Sequence, residues 1–175
     1  MLERMNGSRL LAIVLVLGVG FQTHAGNLGE AHKTPFDRGR FTIKLGAGRQ
    51  SAFGHSYVGF GIGAGYFLLD GLEIGLFGVH QFGGPPSIDA VSPSVRYVAQ
   101  PLAGWPVIPY TGVFYKHWFL GTPDSGVDIV GAHAGLLHIQ GRLLFGLGVV
   151  YEHTLSACTL SCDAVYPDVT LGFTF

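Results

Sequence analysis

GRLLFGLGVVYEH, residues 141–153, alternates between two kinds of side chain along its whole length. One row is apolar and consists of Leu143, Phe145, Leu147, Val149 and Tyr151. The other row mixes polar, small and aliphatic residues: Arg142, Leu144, Gly146, Gly148, Val150 and Glu152. Successive side chains of an extended chain point in opposite directions, so this alternation predicts a β-strand with one apolar face.

The same pattern recurs along the chain. It is seen in RFTIKLGAG (40–48), in YVGFGIGAGYF (57–67), where every second residue from 59 to 65 is glycine, and in the last ten residues, YPDVTLGFTF. We predict eight strands, at about 39–48, 56–67, 71–81, 92–100, 107–118, 126–137, 141–153 and 166–175, each near the length that a tilted membrane strand needs. Short connections (68–71, 100–105, 138–141) alternate with longer ones (49–55, 82–91, 119–125, 154–165), which is typical of outer-membrane barrels.

Composition points to the same fold class. Only 12% of the 175 residues are charged, against roughly 25% in ordinary soluble proteins. The net charge is −1, which gives no basic surface for nucleic acid. Beyond residue 21 there is no apolar run of about 20 residues, the length that a membrane helix requires. A β-barrel is the other structure that pairs its backbone in lipid. We therefore predict an all-β protein, an eight-stranded antiparallel transmembrane barrel whose apolar rows face lipid.

The first residues have the pattern of a secretory signal. Arg4 and Arg9 precede the apolar run LLAIVLVLGVGF (10–21), and Thr23-His24-Ala25 offers a small-residue cleavage site. We predict a signal peptide at 1–25, a periplasmic segment at 26–38 and the barrel at 39–175. An uncleaved anchor is the alternative, although the apolar run is short for a membrane span.

The two cysteines, Cys158 and Cys162, lie in CTLSC. Because an exported chain meets oxidising conditions, this even pair predicts a disulfide that staples a loop. A metal site is less well supported, since no second Cys or His pair stands at zinc spacing. We expect neither a bound metal nor a cofactor.

Aromatic residues gather near the expected strand ends. Rings of this kind sit well at the headgroup level, so we interpret them as two interfacial girdles. The outer group is Tyr57, Tyr115, Trp118, Tyr151 and Tyr166, and the periplasmic group is Trp105, Phe67, Phe173 and Phe175. Prolines at 93, 101, 106 and 109 leave the limits of strands 4 and 5 open.

With these features the chain resembles the small eight-stranded outer-membrane barrels of Gram-negative bacteria, the OmpA/OmpX type. The apolar run at 10–21, the alternating strands and the terminal row ending in Phe173 and Phe175 carry the resemblance. It implies a bacterial outer-membrane location, export through the signal peptide, and contact with outer-membrane lipids and lipopolysaccharide. It also implies that Leu171, Phe173 and Phe175 form the signal read by the barrel-assembly machinery.

A barrel of eight strands encloses only enough room for its own side chains. The charged residues that the strand phase places inside are Arg40, Lys44, Glu73, Arg96, Lys116, Arg142, Glu152 and Asp168. Charges in a confined interior must be paired or hydrated, so we predict an internal network that plugs the barrel. Glu152 and Asp168 could pair with Lys116 or Lys44. A narrow ion path through the same network is the alternative.

Histidines invite a catalytic or metal interpretation. His55, His80, His117 and His153 fall at strand-to-loop junctions on the predicted outer side, where four imidazoles could bind a metal or titrate. Lipid A deacylases of similar architecture use a His-x-Ser pair with a carboxylate nearby. Here Thr154 and Leu155 follow His153, and Ser56 directly follows His55, so neither has a serine two residues on. We therefore do not predict an enzyme.

The sequence favours a monomeric outer-membrane protein with a structural or surface-interaction role and a plugged interior. The loop QFGGPPSID (81–89) and the CTLSC loop are the candidates for surface contact. A narrow channel for ions or small solutes and a lipid A-modifying enzyme are the alternatives. A soluble lipocalin-like carrier would need the opposite orientation of the two rows, and the glycine-rich row is a poor solvent face.

Overall fold

The computed structural model describes residues 34–52, 55–85, 87–99, 107–121, 126–156 and 162–175, with the side chains of 49–52 excepted. Eight strands follow one another: β1 (Phe41–Ala52), β2 (His55–Leu69), β3 (Leu72–Phe82), β4 (Ile88–Val98), β5 (Val107–Phe119), β6 (Gly126–Gln140), β7 (Leu143–Thr154) and β8 (Asp163–Thr174). The predicted fold class and strand number are confirmed. The predicted signal peptide lies outside the described residues. Within those residues no helix is long and apolar enough to cross a membrane.

The strands form one closed antiparallel barrel, because β8 pairs with β1 as well as with β7. Phe41 and Phe175 extend this closing seam by two backbone hydrogen bonds of 3.3 and 2.9 Å. Closure gives every strand a neighbouring strand on both sides. We call the end of the barrel where β1 begins and β8 finishes the terminal end, and the opposite end the loop end.

The apolar rows face outward, as predicted. On β7, Phe145, Leu147, Val149 and Tyr151 are exposed, whereas their neighbours in the other row are buried or half-buried. The same holds on β2, where Val58, Phe60, Ile62 and Tyr66 are exposed. The barrel therefore presents an apolar outer wall, the reverse of a soluble carrier.

Two tight turns at the terminal end are built on glycine. Gly71 follows Asp70 between β2 and β3, and Gly141 precedes Arg142 between β6 and β7, with φ angles of 80° and 65°. Glycine adopts these left-handed angles without steric cost. The predicted turn at 138–141 was too long, because β6 continues in register with β7 as far as the pair Gln140–Leu143.

β4 begins at Ile88, four residues before the predicted start at 92. Pro93 lies inside the strand, where its missing N–H interrupts the β4–β5 ladder between the pairs Val91–His117 and Ser94–Phe114. The Ser92 hydroxyl donates to the Tyr115 carbonyl at 2.9 Å. A side-chain donor thus replaces the missing backbone donor, which is why proline does not end this strand.

The loop between β3 and β4 is shorter than predicted. Gln81 and Phe82 belong to β3 and Ile88 and Asp89 to β4, since the β3–β4 ladder runs on to the pair Gln81–Ile88. The predicted contact loop 81–89 therefore shrinks to the residues between Phe82 and Ile88.

The interior is apolar at both ends. The terminal-end cluster contains Phe36, Phe67, Val98, Ile108, Tyr110, Leu137 and Leu144. The loop-end cluster contains Tyr57, Ile88, Ala90, Trp118 and Ile129. Phe36, from the predicted periplasmic segment, is fully buried, and its carbonyl accepts a hydrogen bond from the Gly71 N–H at 2.8 Å. The chain before β1 thus helps to close the terminal end.

These clusters correct part of the aromatic interpretation. Tyr57, Phe67 and Trp118 are buried inside the barrel and do not form an outer girdle. They belong to the inward row of their strands, and position along the strand alone did not reveal that. Tyr115, Tyr151 and Phe175 are exposed on the outer wall, in agreement with the girdle. Trp105 lies outside the described residues.

We expect Ser92→Ala to lower the free energy of unfolding by about 1 kcal/mol, because the Tyr115 carbonyl loses its donor. Denaturant unfolding of the protein in detergent or lipid measures this change. Ser94→Ala is the matched control, since Ser94 is the next inward residue of β4 and its hydroxyl forms no hydrogen bond within the described residues. Equal effects of the two substitutions would contradict the compensating role of Ser92.

Candidate functional site

A polar layer lies between the two apolar clusters inside the barrel. It is built from inward residues of all strands, and its buried members include Thr42, Glu73, Gln81, Ser92, Arg96, Lys116 and Glu152. Two ionic clusters and a cavity make up this layer. It is the candidate functional site because it holds the buried charges of the described chain.

The first ionic cluster is centred on Glu73, whose side chain is fully buried. Its Oε2 lies 2.7 Å from Lys44 Nζ and 2.7 Å from Arg96 Nη2, and its Oε1 accepts a hydrogen bond from the Thr42 hydroxyl. Glu73 and Arg96 are direct partners on β3 and β4. Two cations and a hydroxyl thus offset the cost of burying one carboxylate.

Glycines of β2 make this cluster possible. Lys44 on β1 and Glu73 on β3 meet across β2, whose inward positions are all glycine from 59 to 65. A Cβ atom at Gly65 would collide with Glu73, and Cβ atoms at Gly61 and Gly63 would collide with the Phe77 ring. The glycine row predicted from the alternation therefore gives long side chains of the neighbouring strands room to cross.

The second ionic cluster joins β5, β7 and β8. Lys116 Nζ pairs with Glu152, and the Tyr166 hydroxyl donates to Glu152 Oε1 at 2.7 Å. Lys116 reaches Glu152 across β6, where Gly131 is the direct partner of Glu152. A Cβ atom at Gly131 would collide with the Phe114 ring, which lies beside Lys116 at 5.3 Å from Nζ to the ring centroid.

The structure places five of the eight charges predicted for the interior in the two ionic clusters. Lys44, Glu73 and Arg96 meet in the first cluster, and Lys116 and Glu152 meet in the second. Asp168 is half-buried and accepts a hydrogen bond from the Thr170 hydroxyl at 3.1 Å. Arg40 lies just before β1, and Arg142 is exposed in the turn before β7. Neither arginine forms an ion pair within the described residues, because both stand beyond the strand bodies.

A cavity of about 190 Å³ lies among these groups. The guanidinium of Arg96, which belongs to the first ionic cluster, lies over the Tyr110 ring, with 5.6 Å from Cζ to the ring centroid. The Tyr110 and His133 rings meet edge to face at 5.5 Å, and His133 also contacts Phe114 at 6.0 Å. Tyr110 and Phe114 were not among the predicted interior residues, although the parity of β5 with Lys116 would have shown both as inward.

Three of the four histidines predicted at the rim lie beside aspartates on the outward face near the loop end. Nδ1 of His80, His117 and His153 lies 2.7, 2.7 and 2.9 Å from an aspartate of the next strand, namely Asp89, Asp128 and Asp163. Each aspartate is the direct register partner of its histidine. The imidazoles are thus held on separate hairpins and do not converge.

Two of these pairs include a tyrosine. The hydroxyls of Tyr115 and Tyr151 donate to Asp128 and Asp163 at 2.5 and 2.6 Å. The repeat Tyr-x-His on β5 and β7 produces both arrangements, because residues two apart share one face of a strand. Among the described residues no group of three or more potential ligands could hold a metal ion. Cys158 lies outside the described residues, so its disulfide with Cys162 stays a prediction.

We expect Glu73→Gln to lower the free energy of unfolding by about 3 kcal/mol or more, because Lys44 and Arg96 would remain buried without a carboxylate. Glu152→Gln should cost less, since only Lys116 loses its partner. Asp89→Asn, in the exposed pair with His80, is the control and should change stability little. Denaturant unfolding of the folded barrels would measure this order, and equal effects at positions 73 and 89 would contradict the ionic cluster.

Comparison with known proteins supports the fold and does not indicate a specific function. No family model and no curated protein matches the chain. Among solved structures, it is similar to the N-terminal β-barrel domain of Pseudomonas aeruginosa OprF, with a TM-score of 0.59 and 18% identity over 79% of this chain and 98% of that one. It is also similar to Neisserial surface protein A, with a TM-score of 0.51 and 17% identity over 77% and 94% of the two chains. The chain therefore has the fold of the small eight-stranded outer-membrane barrels.

Proposed function

We propose that this chain is a monomeric bacterial outer-membrane protein with a structural or surface-interaction role, whose barrel is closed inside by its own side chains. The observation that carries the proposal is the stack of three layers in the interior. A polar layer with two ionic clusters lies between the terminal-end and loop-end apolar clusters. Such a stack supports an interior without a continuous aqueous path.

The outer wall supports a membrane location. Apolar side chains are exposed around the whole barrel, including Leu76 on β3, Val113 on β5, Leu136 on β6 and Leu147 on β7. Exposed apolar area of this extent marks a surface that another apolar phase covers. Exposed aromatic residues stand near both ends of this wall, including Tyr66 and Phe41 near the terminal end and Phe119 and Tyr151 near the loop end. Outer-membrane lipid and lipopolysaccharide are the partners that fit it.

A narrow ion path is the second candidate. The cavity of about 190 Å³ favours it, because polar side chains line it. The apolar clusters oppose it, because an ion would have to pass Phe67 at one end and Trp118 at the other. Both side chains are buried. We therefore place the closed barrel first.

Conductance across planar bilayers distinguishes the two candidates. The purified barrel should insert and show a heat-modifiable mobility on gels, yet carry no steady unitary current. The double variant Phe67→Ala plus Trp118→Ala should conduct, because both apolar barriers are reduced. Phe82→Ala removes an exposed ring of the outer wall and is the control that should stay silent. A steady current through the unmodified protein would overturn the closed barrel.

The prediction that the protein is not an enzyme has its own test. An altered acyl pattern of lipid A in cells that produce the protein, compared with cells that lack it, would contradict that prediction.

The terminal row Leu171, Phe173 and Phe175 supports a role in assembly. Phe175 is exposed on the outer wall, and its backbone bonds to Phe41 at the closing seam. A recognition element at this seam would be available until β1 and β8 pair. The assembly machinery is therefore a proposed partner during insertion.

We expect Phe175→Ala to slow assembly, so that less heat-modifiable barrel accumulates in the outer-membrane fraction at early times after induction. Val165→Ala is the matched control, because Val165 is an exposed apolar residue at the opposite end of β8. If both variants assembled at the rate of the unmodified protein, Phe175 would have no such role.

A further inference from the structure

The seam between β1 and β8 is paired over only part of its length. Its ladder ends, toward the loop end, at the pair Gly46–Thr170. β1 continues to Ala52, and β8 begins at Asp163. Within these described strands no pair joins β1 to β8 beyond Gly46, whereas the ladder of β1 with β2 runs on to Ala52. The sheet is therefore interrupted along the half of the seam nearer the loop end.

Pro167 of β8 lies in this interrupted part of the seam. Successive residues of a strand direct their backbone groups alternately to the two neighbouring strands. Phe175 bonds to Phe41 on the side of β1, and the Thr174 N–H bonds to a carbonyl on the side of β7. Position 167 has the parity of Phe175, so its backbone faces β1. Proline has no N–H, so the interruption leaves no donor of residue 167 without a partner.

The cavity of about 190 Å³ reaches the outer wall at this interruption. Most of its lining residues belong to inward rows, but Ala47 of β1 and Pro167 of β8 are exposed members of outward rows. Gly48 and Asp168, the neighbouring inward residues, also line it. Gly48 is exposed despite its inward parity, and a Cβ atom at this position would meet no described group within 4 Å. The cavity thus has a lateral opening between β1 and β8.

The side of the cavity formed by β1, β2 and β3 is apolar. Phe77 and Val79 of β3 lie close over the inward glycines of the two other strands. The glycines that line the cavity are Gly46, Gly48, Gly59 and Gly61. The three cations of the lining belong to the two ionic clusters, where carboxylates pair with their head groups. A hydrocarbon segment that entered through the opening would therefore meet glycine backbone, an aromatic ring and a valine side chain.

The position and size of the cavity limit what can enter it. Leu45 and Val169 on the terminal-end side of the opening, and Val165 on its loop-end side, are exposed apolar residues of the outer wall. The opening therefore lies within the wall that faces lipid in the proposed function. An engineered apolar cavity of about 150 Å³ in another protein holds benzene. The cavity of about 190 Å³ accordingly has room for a chain segment of roughly six to eight carbons.

We propose that the barrel interior takes up the end of a lipid acyl chain from the surrounding membrane, through the opening between β1 and β8. This inference rests on the membrane location in the proposed function. The chain end lies along the glycines of β1 and β2 and contacts Phe77 and Val79, while the rest of the lipid stays in the bilayer. A lateral route passes neither apolar cluster, so the barrel remains closed along its axis.

Photo-cross-linking locates the chain end directly. The full barrel is reconstituted in phosphatidylcholine vesicles in which a trace of the lipid carries a diazirine at the end of one acyl chain. After illumination, mass spectrometry should find cross-links to inward residues such as Phe77 and Val79, in addition to outward residues such as Leu147. Cross-links confined to outward residues would overturn the acyl-chain site and leave the membrane location intact. Absence of cross-links on both faces would overturn the membrane location and this proposal together.

Gly48→Leu tests the route. A leucine at this position fits the open space and closes the opening, so the cross-links to inward residues should be lost while those on the outer wall are retained. Gly78→Leu is the matched control. Gly78 lies in the outward row of β3, and a Cβ atom there would meet its nearest neighbours at 3.8 Å or more. Equal labelling of the interior in the two variants would contradict entry between β1 and β8. The cross-links of the unmodified protein still decide whether the site exists if Gly48→Leu does not fold.

Discussion

The structure depends on the closure of the sheet between β1 and β8. A strand in an apolar phase must pair every backbone N–H and C=O with another strand, because no water is present to take their place. Closure gives each of the eight strands a partner strand on both sides. It also fixes the width of the interior, since eight strands enclose a space that side chains fill. Every inward residue must therefore fit beside its neighbours and satisfy its polar atoms there.

The glycines on the inward faces of β2 and β6 are the answer to this lack of room. With Gly65 beside Glu73 and Gly131 beside Phe114, long side chains from the flanking strands lean across inward positions that carry no side chain. Lys44 thereby reaches Glu73, and Lys116 reaches Glu152. These two ion pairs thus join strands that are not adjacent, whereas the pair of Glu73 with Arg96 joins the neighbouring strands β3 and β4.

The outer wall shows a second use of charge. Three cross-strand His–Asp pairs lie near the loop end, outside the barrel, on three hairpins in a row. They are partly exposed, so water screens them and they add little to stability. Their position above the apolar wall matches the polar boundary that a membrane surface imposes. Among the described side chains, charge is therefore confined to the interior and to the rims, and the band between is apolar.

The sequence by itself determined the number of strands, the outward face of the strands other than β4, β5 and β6, and the glycine row of β2, because these features follow from a period of two within a single segment. It did not reveal that Tyr57, Phe67 and Trp118 close the two ends from inside. Their parity places them in the inward row, but only closure of the sheet brings inward side chains of different strands together at each end. It listed the interior charges without their partners. Whether Lys44 meets Glu73 or Asp168 depends on the register between strands far apart in the chain, which the tertiary structure sets. The tertiary structure also explains why β4 tolerates Pro93, because the Ser92 hydroxyl reaches the Tyr115 carbonyl only when β4 and β5 lie side by side.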